Sequence, residues 1–216
     1  IGIPASIIVS IFLAVLMDLI AHTKMAVVLR TVIIISMALG GVMVAVFWGW
    51  MFNFSYGGIN ELLKLVGLDF FVIDWLGKPN FVLFAVIIML IWKYCGFGGL
   101  ILFGGLQSIP ESTIEAAMID GANMRQIYFQ ILLPQIKGHI FCVILLLSMY
   151  MLKSFGYVWP LTGGGPGWAS TLFPILVYRQ MFESYNFAGG AAAATFMFVI
   201  ASVIAIPYIK YSRGSR

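Results

Sequence analysis

The sequence predicts an all-α membrane protein, a polytopic bundle of about five transmembrane helices with one polar segment between two of the crossings. Three observations predict it. The chain of 216 residues is 62% hydrophobic and only 9% charged. Its mean hydropathy of +1.05 is more apolar surface than a soluble domain of this length can hide, so lipid is the expected solvent. The apolar residues come in continuous runs of about 20, the length a helix needs to cross a bilayer, and do not alternate as barrel strands would. Backbone groups in lipid must be satisfied internally, which leaves helices.

The expected crossings are residues 3–21, 31–52, 81–106, 138–158 and 187–209, and 1–216 reads as one transmembrane domain. The first, IPASIIVSIFLAVLMDLIA, carries one acid, Asp18, near its end, where an interfacial position suits it. The second holds small residues at Gly41, Ala45 and Gly49, a spacing that lets helices approach closely. The third places Lys93 in mid-span between Trp92 and Tyr94; a charge there faces a watery path, or carbonyls or a carboxylate that hold it. The fifth repeats small residues across Gly189–Ala194. Cys95 and Cys142 fall inside apolar runs and read as buried hydrophobes rather than a disulfide. Trp48, Trp50, Trp75, Tyr157, Trp159 and Trp168 lie near span ends, as belt residues do.

Lys and Arg set the orientation. Five crossings put Lys24, Arg30, Arg125, Lys137, Lys210, Arg213 and Arg216 on one side, against Lys64, Lys78 and Arg179 on the other. Seven against three makes the first side, with the C-terminus and residues 108–137, cytoplasmic. The net charge of +4 fits this asymmetry and not a nucleic-acid partner. Residue 1 is then outside, and Ile1 is not a Met, so a six-helix protein lacking its first helix is expected.

The polar segment, SIPESTIEAAMIDGANMRQIYFQILLPQIK, holds Glu111, Glu115, Asp120, Arg125 and Lys137. Ser108-Ile-Pro-Glu111 has the form of a capping box with Pro110 in the first turn. A short helix to Asp120, a turn at Gly121 and a second helix capped at Asn123 and running to Leu133 are expected. Glu111 and Glu115 share a face, and Ala116 and Ala117 keep that helix low, so another surface can come close. An amphipathic linker lying on headgroups is the plain alternative, but its first half is acidic where such a helix favours Lys and Arg.

The pattern Glu115-Ala116-Ala117, three residues, Gly121, nine residues, Ile131-x-Leu133-Pro134 resembles the signature loop of permease subunits of binding-protein-dependent ABC importers. LTGGGPGWAST, Leu161 to Thr171, and the run from Trp92 to Pro110 are similar to the carbohydrate-uptake permeases related to the maltose importer. The resemblance implies a cytoplasmic coupling helix, with Glu111, Glu115, Ala116, Ala117, Asp120, Gly121 and Ala122 docking an ATPase. It implies two ATPase subunits that bind ATP and Mg, a second homologous permease, and an extracytoplasmic solute-binding protein above residues 53–80 and 158–186, with Thr162, Gly163, Gly164, Gly165 and Pro166 in its docking loop; the glycines suit that loop to flex under a partner, and a plain connecting loop is the alternative. It also implies the cell membrane of a bacterium or archaeon. Trp92, Lys93, Tyr94, Phe155 and Tyr157 are candidate path residues, because an aromatic plane suits the C–H face of a sugar. Lys153 to Trp159 departs from the family's more polar pattern, which points to a distinct substrate preference.

No cofactor is expected in this chain, since TGGGPG lacks the Lys-Ser/Thr ending of a phosphate loop, and no metal-ligand cluster stands out. A polyol or glycerol-phosphate derivative is the alternative solute. A membrane-embedded enzyme would need constellations that His22 and His139 do not make, and a secondary transporter would be expected to show inverted repeats.

Overall fold

The computed structural model describes residues 1–214, with side chains described through Pro207, and its regular structure among them is entirely helical. Of the basic residues counted for orientation, the Lys210 and Arg213 side chains and Arg216 lie outside the described part.

α1 (Gly2–Leu19) is apolar on every side and lies along α5 (Pro79–Gln107), the longest helix. Small residues let the two backbones approach. A Cβ on Gly98 would sit 2.5 Å from Ser10 Oγ. The Ser10 hydroxyl itself lies 2.7 Å from the Ser6 carbonyl and 3.0 Å from the Cys95 carbonyl across the interface. Pro79 opens α5 where its missing N–H costs no bond.

The crossing expected at 31–52 is not one rod. α2 (Lys24–Ala38) and α3 (Gly41–Met51) meet at 108° across Leu39 and Gly40, both extended. The break has a visible partner: Lys93, at the middle of α5, donates to the carbonyls of Ser36, Met37 and Leu39 at 3.0, 2.9 and 2.8 Å. The helix end that lipid would leave unsatisfied is satisfied by an ammonium. α3 then turns into the protein, and Trp48 and Phe52 enter the core with Met89, Leu102, Ile127, Leu132 and Leu147. Trp48, expected in the interfacial belt, is a core residue beside Phe52 and Trp92.

α4 (Gly58–Leu65) lies in the connection to α5, where buried Asn60 accepts from Trp75 Nε1 and donates to the carbonyls of Phe54 and Ile73. α6 (Glu111–Ile119), α7 (Met124–Gln135) and α8 (Lys137–Leu152) follow α5, with a 71° bend between α7 and α8. α7 widens to a π-helical stretch over Ile127–Leu132, ahead of Pro134, which has no N–H to continue an α-helical ladder. α8 ends at Leu152, short of the expected 158; α9 (Phe155–Thr162) packs against α3. α10 (Phe173–Tyr178) leads through a π-helical turn to α11 (Phe187–Gly214).

Among the described residues, α1, α5 and α11 are each long and apolar enough to span a bilayer; the bent pairs α2–α3 and α7–α8 bring the number to five if each counts as one crossing. The ends alternate accordingly. Asp18 closes α1 beside Gln107 and Tyr128 at one end, while Ile3, Met151 and Trp168 line one cleft at the other. Exposed side chains such as Phe12, Phe47, Phe196 and Phe198 leave an apolar flank suited to lipid.

Candidate functional site

The polar segment forms a bent helical hairpin. The capping box expected at Ser108 does not form: the Ser108 hydroxyl donates back to the Gly105 carbonyl at 2.7 Å, finishing α5, and Pro110 occupies the N-cap of α6. The box at Asn123 does form, with Gln126 N–H donating to Asn123 Oδ1 at 3.0 Å and Asn123 N–H to Gln126 Oε1 at 2.8 Å. Between them Gly121 sits at φ +80°, a conformation that penalises any side chain.

Glu111, Glu115, Ala116, Asp120 and Gly121 are exposed on this elbow. Ala117 and Ala122 are not part of the free face: Ala117 is buried, and the Ala122 N–H donates to the Ala117 carbonyl as both pack on the core. Reading the sequence missed two residues that stand beside the acids, Met118 and Ile119, the latter 86% exposed. Their signal was their place between the acids and the Gly elbow. Exposed apolar side chains and exposed carboxylates thus share this elbow.

Asp18, expected as a lone interfacial acid, is fully engaged. Tyr128 of α7 donates to Asp18 Oδ2 and Gln107 of α5 donates to Asp18 Oδ1, both at 2.7 Å. A cavity of about 280 Å³ opens here, with His22 and Glu111 also in its wall.

The path residues divide. Lys93, Tyr94 and Tyr157 line one cavity of about 260 Å³ at the α2–α3 break, together with Met37, Leu39, Phe97 and Tyr150. Tyr150 stacks on Tyr94 at 5.5 Å, and Tyr157 meets Tyr94 edge-on at 5.7 Å. Lys93 Nζ lies 5.8 Å from the Tyr157 ring, with its hydrogen bonds directed at the α2 carbonyls. Trp92 is elsewhere, packed on Phe47 and Trp48, and Phe155 stacks on Trp159 and meets Tyr178 at a tilt. Tyr150 carried no sequence signal, because its neighbours come from other helices.

The loop after α9 carries several internal hydrogen bonds. Gly163 takes a left-handed φ of +59°, Gly165–Pro166 is cis, and the Thr162 and Ser170 hydroxyls lie 2.8 Å apart. Arg179 donates to the Gly163 and Gly167 carbonyls at 2.8 and 3.4 Å and sits over the Trp168 ring. Ser170 and Thr171 donate to the Gly165 and Gly164 carbonyls at 2.7 and 2.9 Å.

Known proteins agree with this architecture. A probable ABC transporter permease of Pyrococcus horikoshii is 36% identical over 97% of this chain and 71% of its own length. A xylose/arabinose import permease protein of Haloferax volcanii is 34% identical over 95% of this chain, which spans 64% of that relative. In a solved bacterial ABC transporter involved in import of the acidic polysaccharide alginate, one chain superposes with a TM-score of 0.81 at 25% identity, covering 95% of this chain and 71% of that one. The family model of the binding-protein-dependent transport system inner membrane component matches residues 6–211. An all-helical, bilayer-length bundle with this loop and these relatives belongs to the family of inner-membrane components of binding-protein-dependent transport systems.

Proposed function

We propose that this chain is a non-catalytic permease subunit of an ABC importer that passes a carbohydrate across the cell membrane. The observation that carries the coupling role is the elbow of α6 and α7: an exposed apolar tip, Met118 and Ile119, beside Glu111, Glu115 and Asp120. One of two ATPase subunits grips it, and ATP with Mg binds there and not in this chain. A second homologous permease completes the path. Closure of the ATPase pair pushes the elbow and rocks the helices from inward-facing to outward-facing. An extracytoplasmic solute-binding protein docks over residues 53–80 and 158–186, including Thr162 to Pro166, and the C-terminus is cytoplasmic.

The cavity at the helix break supports a carbohydrate. Lys93 spends its hydrogen bonds on carbonyls, so the walls offer a solute chiefly aromatic faces and phenols. Such walls suit the apolar face and hydroxyls of a neutral sugar. The xylose/arabinose relative carries solutes of that chemistry by its name.

The test is coupling in proteoliposomes holding the complete importer. Gly121→Pro cannot keep φ +80° and loses the N–H that bonds Met118 O; Glu115→Lys inverts a docking charge. Both variants insert, and uptake per ATP hydrolysed falls roughly tenfold or more, the scale of one lost charged contact. Normal uptake by both would refute the docking role.

A further inference from the structure

We propose that Asp18 is a positioning residue that carries displacement of the α6–α7 elbow into α1 and α5 together; the proposal rests on the elbow being the ATPase dock. The chain itself joins α6 to α5 through Ser108–Pro110 and α7 to α8 through Ile136, and apolar side chains, Ile114, Ile127 and Leu132 among them, pack the elbow on the core. Apolar contacts fix no direction and slide cheaply, whereas a hydrogen bond to a carboxylate is short, directional and about twice as strong as a neutral one. Tyr128 makes such a bond from the first turns of α7, while itself buried. The second oxygen of the same carboxylate is held by Gln107 of α5, and the acid stands on α1. Three elements therefore meet on one side chain.

The geometry gives the joint a destination. Gln107 and Lys93 lie fourteen residues apart (107 − 93) on one unbroken helix, a rod of about 21 Å. Lys93 at the far end of that stretch holds the carbonyls of the α2 break and lines the cavity. Besides the covalent link from α6 to α5, a push on α7 reaches α1 and α5 together through Asp18, and α5 carries the wall of the cavity. An acid placed only for solubility at a membrane border would have neither oxygen committed to another helix.

The test uses the complete importer, with Tyr150→Cys in a Cys95→Ala, Cys142→Ala background as a cavity reporter. Tyr150 lines the cavity and is exposed enough to label. The probe is a membrane-impermeant maleimide, with labelling rates measured in apo importer and after ATP and vanadate. In the parent, trapping changes the rate. In Tyr128→Phe, which keeps the ring, and in Asp18→Asn, which is isosteric, the ATPase still co-purifies and hydrolyses ATP. The nucleotide-dependent change in labelling shrinks about tenfold, the scale of one charge-assisted bond. The double variant is no worse than either single one, because both remove the same link. If either variant fails to insert, the other supports the same comparison. An undiminished nucleotide response in the inserted variants overturns the joint and leaves the dock standing. Additive defects also overturn it, since they mean separate packing roles. A parent chain that brings no ATPase overturns both readings.

Discussion

Lys93 shows how one residue can set the course of two helices. Its ammonium has three donors, and three carbonyls at the end of α2 accept them. Its side chain is 5% exposed, in a stretch of α5 whose neighbours are otherwise apolar. Lys93→Met keeps the length and removes the donors. It leaves those carbonyls without partners, at a cost of about 3 kcal/mol or more. In detergent the apparent Tm of Lys93→Met falls by several degrees; an unchanged Tm would mean that the break holds without the pin. Tyr94 and Tyr157 carry the complementary prediction. Tyr157→Leu lowers uptake by the importer while ATPase assembly, read by co-purification, stays intact; unchanged uptake would remove Tyr157 from the path.

Close packing decides the arrangement at the scale of elements. α3 can leave the line of α2 because α9 receives it: a Cβ on Gly41 would come within 2.6 Å of the Gly156 carbonyl, which cannot yield as a flexible side chain could. Gly41→Val separates α3 from α9 and costs about 1–3 kcal/mol, read as a lower thermal midpoint and faster proteolysis after Leu39. The small-residue stripe at Gly41, Ala45 and Gly49 thus serves packing within this chain, with Gly49 set against Leu161. Local elements were the ones legible in the sequence. The Asn123–Gln126 box and the Gly121 elbow depend on residues within three positions of one another, so their chemistry is written side by side. The 108° break was not legible, since 31–52 is uniformly apolar and hydropathy carries no angle; Leu39-Gly40-Gly41 is its faint local mark. Asp18 and Tyr128 are 110 positions apart, and no local pattern relates them.

The whole molecule has two working ends joined by α1 and α5. At one end the acidic elbow projects and is anchored through Tyr128; at the other Arg179 holds the Gly-rich loop beside Trp168. Membrane class was legible because length and apolarity are sums over sequence; the five expected crossings match α1, α5, α11 and the two bent pairs if each pair counts as one. Which aromatics share a cavity was not, because Tyr94, Tyr150 and Tyr157 come together only when α5, α8 and α9 pack. Site-directed cross-linking addresses the contact between the elbow and a nucleotide-hydrolysing partner directly. Ile119→Cys is placed in the assembled importer on a background of Cys95→Ala and Cys142→Ala, with Val66→Cys at the opposite end as the control. A bifunctional cross-linker joins the Ile119→Cys chain to the ATPase subunit and leaves the Val66→Cys chain free of it. An assembled particle in which Ile119→Cys yields no ATPase adduct, or in which Val66→Cys yields one, would contradict the account.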